Sequence, residues 1–237
     1  MVRRRPEARP AAAARPLQWP VMSITPVTET VPTPAGDARL TWHRPAGAPA
    51  RCVLALGHGA GGGVEARDLR ALALALPPLG HAVVLVEQPW RVAGKKVAPA
   101  PKTLDTAQRA LWERVAAGAD GAPVVSGGRS AGARVACRTA RPLGASAVLA
   151  LAFPLHPPGR PERSRADELL GTGLPTLVVQ GDRDPFGRPE EFPAGSEVVP
   201  VPGGDHGFAV PKSAAVGQEE ALRRLTAAVA DWLEATV

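Results

Sequence analysis

The chain has 237 residues, of which 45% are hydrophobic and 21% charged, a balance that excludes a disordered protein and allows one substantial core. The formal charge is +6, but four of those six charges come from residues 1–22, where Arg3, Arg4, Arg5, Arg9 and Arg15 face only Glu7. The remainder is nearly neutral and no aromatic residue stands between those arginines, so nucleic acid is not an expected partner.

Residues 1–22 read as a disordered basic extension. Its alanine run, Ala11–Ala14, is cut by Arg15 and Pro16 too soon for an export signal, and Met22 offers an alternative start. No run reaches membrane-spanning length, so no membrane partner is expected. Cys52 and Cys137 lack metal-site spacing and read as buried thiols of a cytoplasmic protein. Residues 23–237 are expected to form a single domain whose core, with few aromatics and no tyrosine, is built of Ala, Val and Leu.

Thr28–Val31 and Ala38–His43, separated by a Pro- and Gly-containing turn, read as a hairpin at one edge of a sheet. Cys52–Leu56 is a continuous apolar run, as expected of a strand buried on both faces, and leads into the glycine-rich loop Gly57–Gly63. A short helix over Asp68–Leu76 is closed by Pro77, Pro78 and Gly80, and His81–Val86 is the next strand. Glu87–Lys102 reads as a loop carrying Trp90, Arg91, Lys95 and Lys96. Leu104, Ala107, Leu111 and Val115 then recur at helical spacing behind Thr103, a candidate N-cap. Val124 and Val125 lead through Gly127 and Gly128 to Ser130, with a helix expected from Ala131. Ala147–Ala152 reads as a strand, residues 153–163 are proline-rich, Ala166–Leu170 reads as a short helix, and Thr176–Gln180 as a strand ending at Gly181. A last strand, Glu197–Val201, precedes the loop Gly203–Phe208; Leu222, Leu225, Val229 and Trp232 then line one face of a C-terminal helix. Strands alternating with helices after a hairpin predict a mostly parallel sheet covered on both faces, with ligands bound outside the carboxyl ends of its strands.

The spacing Gly128-x-Ser130-x-Gly132 at a strand-to-helix turn has the form of a nucleophile elbow. The serine of such a turn sits in a strained backbone conformation, and the residues two before and two after approach too closely for side chains. The helix N-terminus beside it favours developing negative charge. Acyl transfer by serine also needs a base, a carboxylate that orients the base, and N–H donors for the oxyanion. His206 follows the last strand, and Asp184 follows the Thr176–Gln180 strand; Asp182 competes for the acid role but stands nearer the strand end, where its reach is shorter. Asp205 reads as a turn residue. The oxyanion donors expected are the N–H of Ala131 and, from the His58-Gly59-Ala60-Gly61 loop of HGGG type, that of Ala60, with Gly59 as its substitute. His58, Arg129, His156 and Trp90 are candidate lining residues of the substrate pocket. Arg129, inside the elbow, suits either an anionic substrate or an internal partner such as Glu87, while Lys95 and Lys96 read as solvated surface. His43 and His81 have structural roles by default.

Together with the order of elements, GGRSAGAR (127–134), PLHPPGRPE (154–162), GDRDPFG (181–187) and GGDHGF (203–208) resemble the small bacterial α/β-hydrolases of the dienelactone-hydrolase-like type. Within that group the chain is most similar to the branch with eukaryotic relatives among testis-expressed and chromatin-complex proteins, over about Val27 to Leu233. The resemblance implies an α/β-hydrolase fold without a cap domain, with Ser130, Asp184 and His206 as its triad. Dienelactone hydrolases proper carry cysteine at the elbow where this chain has Ser130, so their substrate is not implied.

Two other classes compete. Gly57-x-Gly59-x-x-Gly62 between a strand and a helix, with Glu87 ending the next strand, has the form of a dinucleotide-binding fingerprint, although a hairpin precedes it and it leaves Ser130, Asp184 and His206 unexplained. A binding or scaffold protein can also keep the fold without using the site. The reading favoured by the sequence is a serine hydrolase of a small ester or thioester that needs no metal and no organic cofactor; the acyl group and the oligomeric state are not legible.

Overall fold

The computed structural model describes residues 25–237; the basic extension read over residues 1–22 and the alternative start at Met22 lie outside the described residues. Strands β1 (Val27–Thr33) and β2 (Gly36–His43) form the expected hairpin, with Val27 opposite Trp42. Strand β2 continues antiparallel onto β4 (Ala82–Glu87). The strands β3 (Val53–Gly57), β5 (Val124–Arg129), β6 (Ala147–Leu151), β7 (Thr176–Gly181) and β8 (Glu197–Val201) all run parallel with β4 and with one another. The result is one eight-stranded sheet in the order β1-β2-β4-β3-β5-β6-β7-β8.

Alternation along the strands decides which helices cover which face. Leu54, Leu56, Val83, Leu85, Leu149 and Leu151 point to one side, where Leu69 and Leu72 of α1 (Arg67–Ala75) and Leu225 and Val229 of α6 (Gln218–Thr236) meet them. Val53, Ala55, Val84, Val86, Val148 and Ala150 point to the other, against Leu111 and Val115 of α3 (Pro101–Gly118) and Ala133 and Ala136 of α4 (Ala131–Thr139). Full burial of a Val or Leu side chain contributes about 1.5–3 kcal/mol, so these two apolar layers hold the sheet in place. Between β6 and β7 stands only the short helix α5 (Ala166–Leu170), and among the described residues no cap domain covers the carboxyl edge of the sheet.

Three local expectations are corrected. The stretch expected to be a loop from Glu87 to Lys102 contains a helical turn, α2 (Pro89–Val92), and already begins α3 at Pro101. Thr103 is not the N-cap: Pro101, whose locked φ suits the first helical position, starts the helix after Ala100, and Thr103 lies inside its first turn. In α6, Leu222 is only half-buried while Ala221 and Leu233 are buried, so the apolar face is rotated from the one expected. Among the described residues, no helix is long and apolar enough to cross a membrane.

Candidate active site

Parallel register brings four loops out at one edge. Gly57 lies beside Gly128, Arg129 beside Leu151 and Leu151 beside Val179, so the chain leaves β3 and β5 within a residue of each other, and β7 and β8, paired at Gly181 and Val201, two residues farther out on the same edge. At the end of β5, Ser130 takes φ +53° and ψ −111° as the residue before α4. For a residue with a Cβ this conformation costs of order 1–3 kcal/mol. Two main-chain hydrogen bonds hold it: Ser130 N–H donates to the Leu151 carbonyl at 2.9 Å, and Arg134 N–H donates to the Ser130 carbonyl at 3.2 Å. A Cβ at Gly128 would stand 2.7 Å from the Gly132 carbonyl carbon and equally close to the Gly57 oxygen; one at Gly132 would stand 2.5 Å from that same Gly57 oxygen. The glycines therefore clear each other and also the end of β3.

Beyond β7, the loop folds Asp184 back into the protein while Asp182, its competitor, remains exposed. Arg183 N–H donates to the Gly204 carbonyl at 3.0 Å, and a Cβ at Gly181 would lie 2.3 Å from that carbonyl oxygen. This close crossing draws the loop after β8 over the end of β7. His206 Nδ1 lies 2.8 Å from Asp184 Oδ2, and its Nε2 lies 2.9 Å from Ser130 Oγ. Asp184 Oδ1 accepts from Phe186 N–H at 2.8 Å, and the Phe186 ring lies 4.2 Å from the His206 ring. The carboxylate can only accept, so His206 donates through Nδ1 and presents Nε2 as acceptor for the serine hydroxyl. A hydroxyl so placed can pass its proton to the imidazole as it attacks an electrophilic carbon.

Residues 50–234 match the α/β-hydrolase domain family. The chain belongs to that family. The chain is also similar in structure to a lidless α/β serine hydrolase from Xanthomonas campestris, at 21% identity over 87% of this chain and 94% of that one, with a TM-score of 0.67. A dienelactone hydrolase from Anabaena variabilis aligns at 20% identity over 90% and 99% of the two chains, TM-score 0.65. An α/β serine hydrolase homologue from Coxiella burnetii aligns at 18% over 87% and 97%, TM-score 0.69. At such identities the likeness is one of fold. No curated protein matches the chain.

The remaining candidate residues divide by what their polar atoms already do. Ala131 opens α4, so its N–H has no intrahelical acceptor, and among the described residues the N–H of Ala60 has no hydrogen-bond partner. His58 is buried, with both ring nitrogens engaged: Gln88 N–H donates to Nε2 at 3.1 Å, which leaves Nδ1 to donate to the Gly59 carbonyl at 2.9 Å. Burial holds its pKa below the ordinary histidine value, so it remains a neutral clamp between the end of β4 and the loop after β3. Trp90 packs beside it, ring centroids 5.5 Å apart.

Arg129 does not pair with Glu87, which is bonded instead to Arg39. Its Nε lies 3.4 Å from Asp68 Oδ2 and its Nη2 donates to the His206 carbonyl at 2.6 Å. Asp68, in the first turn of α1, is fully buried; burial pushes its carboxyl above the ordinary value, and the Arg129 guanidinium opposes that. His156 is likewise spoken for, with Nδ1 2.9 Å from the Pro157 carbonyl and Nε2 3.4 Å from Glu191. Asp205 caps its own turn through Gly207 and Ala209 N–H. Lys95 and Lys96 are exposed.

Two residues that hold the site went unread in the sequence. Gln180, the last residue before Gly181, is fully buried, and its Nε2 stands 2.8 Å from both Asp184 Oδ2 and the Gly187 carbonyl. Asp68 anchors Arg129. The available signal for Gln180 was an amide ending an apolar strand beside the acid; for Asp68 there was only a helix start.

Neither thiol offers a rival nucleophile. Both cysteines are free and buried, and burial pushes Cys52 up to about 11 and Cys137 up to about 12. Cys52 does stand 3.2 Å from His81 Nδ1, with His81 Nε2 3.1 Å from Glu234, but this group lies at the amino ends of β3 and β4, away from Ser130. The dinucleotide reading of Gly57–Gly62 also meets a geometric obstacle. Its third glycine should pack a helix onto the strand, whereas α1 begins only at Arg67, and Gly59 lies against Ser130. Among the described residues, no group of three His, Cys, Asp or Glu side chains is placed to hold a metal ion.

Proposed function

We propose that the protein is a cytoplasmic serine hydrolase that cleaves a small ester or thioester through an acyl-enzyme on Ser130. The observation that carries this reading is the continuous contact from Asp184 through His206 to Ser130, at 2.8 and 2.9 Å, ending on a hydroxyl held in a strained turn at a helix start. In this mechanism His206 takes the Ser130 proton as Oγ attacks the acyl carbon, and Asp184 stabilises the imidazolium that forms. The N–H groups of Ala131 and Ala60 receive the negative oxygen, each contributing roughly 3–4 kcal/mol to the transition state. His206 then gives its proton to the departing alcohol or thiol, and water, deprotonated by the same imidazole, releases the acid.

The capless edge supports a small substrate, and the reduced, buried thiols support the cytoplasmic assignment. The single continuous sheet supports reading the chain from residue 23 as one domain. The four motif segments favour the branch related to testis-expressed and chromatin-complex proteins. Neither a metal nor an organic cofactor enters the proposed reaction.

The test is hydrolysis of p-nitrophenyl acetate by the wild type, Ser130→Ala, His206→Ala and Asp184→Asn. The first two variants are expected to lose turnover by about 10⁴-fold or more. Correctly folded wild-type protein with no turnover, or with turnover indifferent to Ser130, would favour the fold serving as a binding scaffold.

A further inference from the structure

The three substituents of an attacked acyl carbon have different destinations at this site. Its oxygen turns to the N–H groups of Ala131 and Ala60, and its leaving group must reach His206 Nε2 for protonation. The space under the loop after β3, beside those two donors, is then available to the acyl side chain. That space is a crevice walled by His58, Gly59, Ala60, Trp90, Leu104 and Ala131, among others, with a volume of about 10 Å³. None of its walls comes from the loops carrying Asp184 and His206. A volume of about this size holds roughly one water, and therefore roughly one methyl group.

On the other side of Trp90 lies a far larger cleft, about 300 Å³, between the hairpin turn at Gly36, the segment around α2 and the start of α3. Trp90 and Leu104 line both spaces, and with Val135 they form a small buried cluster of their own. The partition is thus a few side chains thick. Trp90 is buried, packed at a tilt against His58, and carried by the short helix α2, so it stands between the two spaces.

We infer that Trp90, backed by Leu104, is the specificity-determining partition of the site. It restricts the acyl group to formyl or acetyl size and closes off a ready-made space for a longer chain. This rests on the serine-hydrolase reading above. The substrate class it names is a short-chain acyl ester or thioester whose bulk lies in the leaving group, on the side of His206.

The experiment compares p-nitrophenyl acetate with p-nitrophenyl hexanoate, which share a leaving group and differ only in acyl length, for the wild type, Trp90→Ala and Leu104→Ala. A methylene accommodated or refused by an apolar pocket changes kcat/KM by roughly 10-fold or more, so the hexanoate-to-acetate ratio is expected to rise at least about 30-fold in Trp90→Ala. Leu104→Ala, which thins the same wall from α3, should raise it in the same direction and decides the matter if Trp90→Ala does not fold. A wild type that takes hexanoate as readily as acetate, or an unchanged ratio in the folded variants, overturns the inference while leaving the hydrolase reading intact. If neither ester is cleaved by a Ser130-dependent activity, the reading beneath it falls, and the partition with it.

Discussion

Gln180 and His206 converge on one oxygen: Asp184 Oδ2 lies 2.8 Å from Gln180 Nε2 and 2.8 Å from His206 Nδ1. The amide orientation is dictated by its surroundings, because a flipped Gln180 would set its oxygen against the carboxylate and the Gly187 carbonyl. Gln180 is therefore a positioning residue for the acid, fixing the carboxylate that in turn fixes the imidazole. A hydrogen bond to a charged group contributes about 1.5–3 kcal/mol, so Gln180→Leu is expected to lower kcat for p-nitrophenyl acetate by about 10- to 100-fold with little change in KM. Wild-type kcat in a folded Gln180→Leu would show that Asp184 needs no second donor.

Arg129 joins three parts of the site: the elbow that carries it, Asp68 on α1, and the main chain of His206. Removing the guanidinium leaves Asp68 buried without its cation, a change that typically costs about 3–5 kcal/mol. Arg129→Met should accordingly lower both the melting temperature and turnover. Adding Asp68→Asn removes the stranded charge and should recover most of the stability, yet turnover should remain low because the His206 carbonyl still lacks its donor. If the double variant recovers both, the role of Arg129 is only to neutralise Asp68.

His58 makes stability depend on pH in a definite direction. Burial holds its folded pKa below the unfolded value of 6.5, so as pH falls below 6.5 the unfolded chain takes up a proton that the folded chain refuses. Stability then decreases toward acid, with a slope of up to about 1.4 kcal/mol per pH unit for this one group. His43 and His81, also lowered by burial, act with the same sign. His58→Gln, which can keep both the donor and the acceptor role, is expected to flatten the slope between pH 6.5 and 5 in urea unfolding. An unaltered slope would mean that His58 does not titrate with folding.

Much of the architecture was written in local pattern. Continuous apolar strands, glycine at the ends of several of them, and helical spacing between them dictate a parallel sheet, and the sheet fixes where its loops emerge. The contacts among Ser130, Asp184 and His206 were anticipated for that reason, since each follows a strand whose carboxyl end is at the same edge. What stayed hidden depends on side chains converging from distant segments. The partner of Arg129 is on α1 rather than at the end of β4, and no spacing rule connects residues 68, 129 and 206. No spacing rule shows that hydrogen bonds from Gln88 N–H and to the Gly59 carbonyl occupy the nitrogens of His58, or that those of His156 lie near Pro157 and Glu191. The start of α3 was misread because a threonine suits an N-cap, while the proline two residues earlier had already begun the helix.

The most direct measurement of the central claim is reaction of the purified protein with a fluorophosphonate, followed by mass mapping of the adduct. The account predicts one adduct per chain on the peptide containing Ser130, formed slowly or not at all in His206→Ala and absent in Ser130→Ala. A folded wild type that stays unlabelled, or an adduct on any other residue, would contradict it.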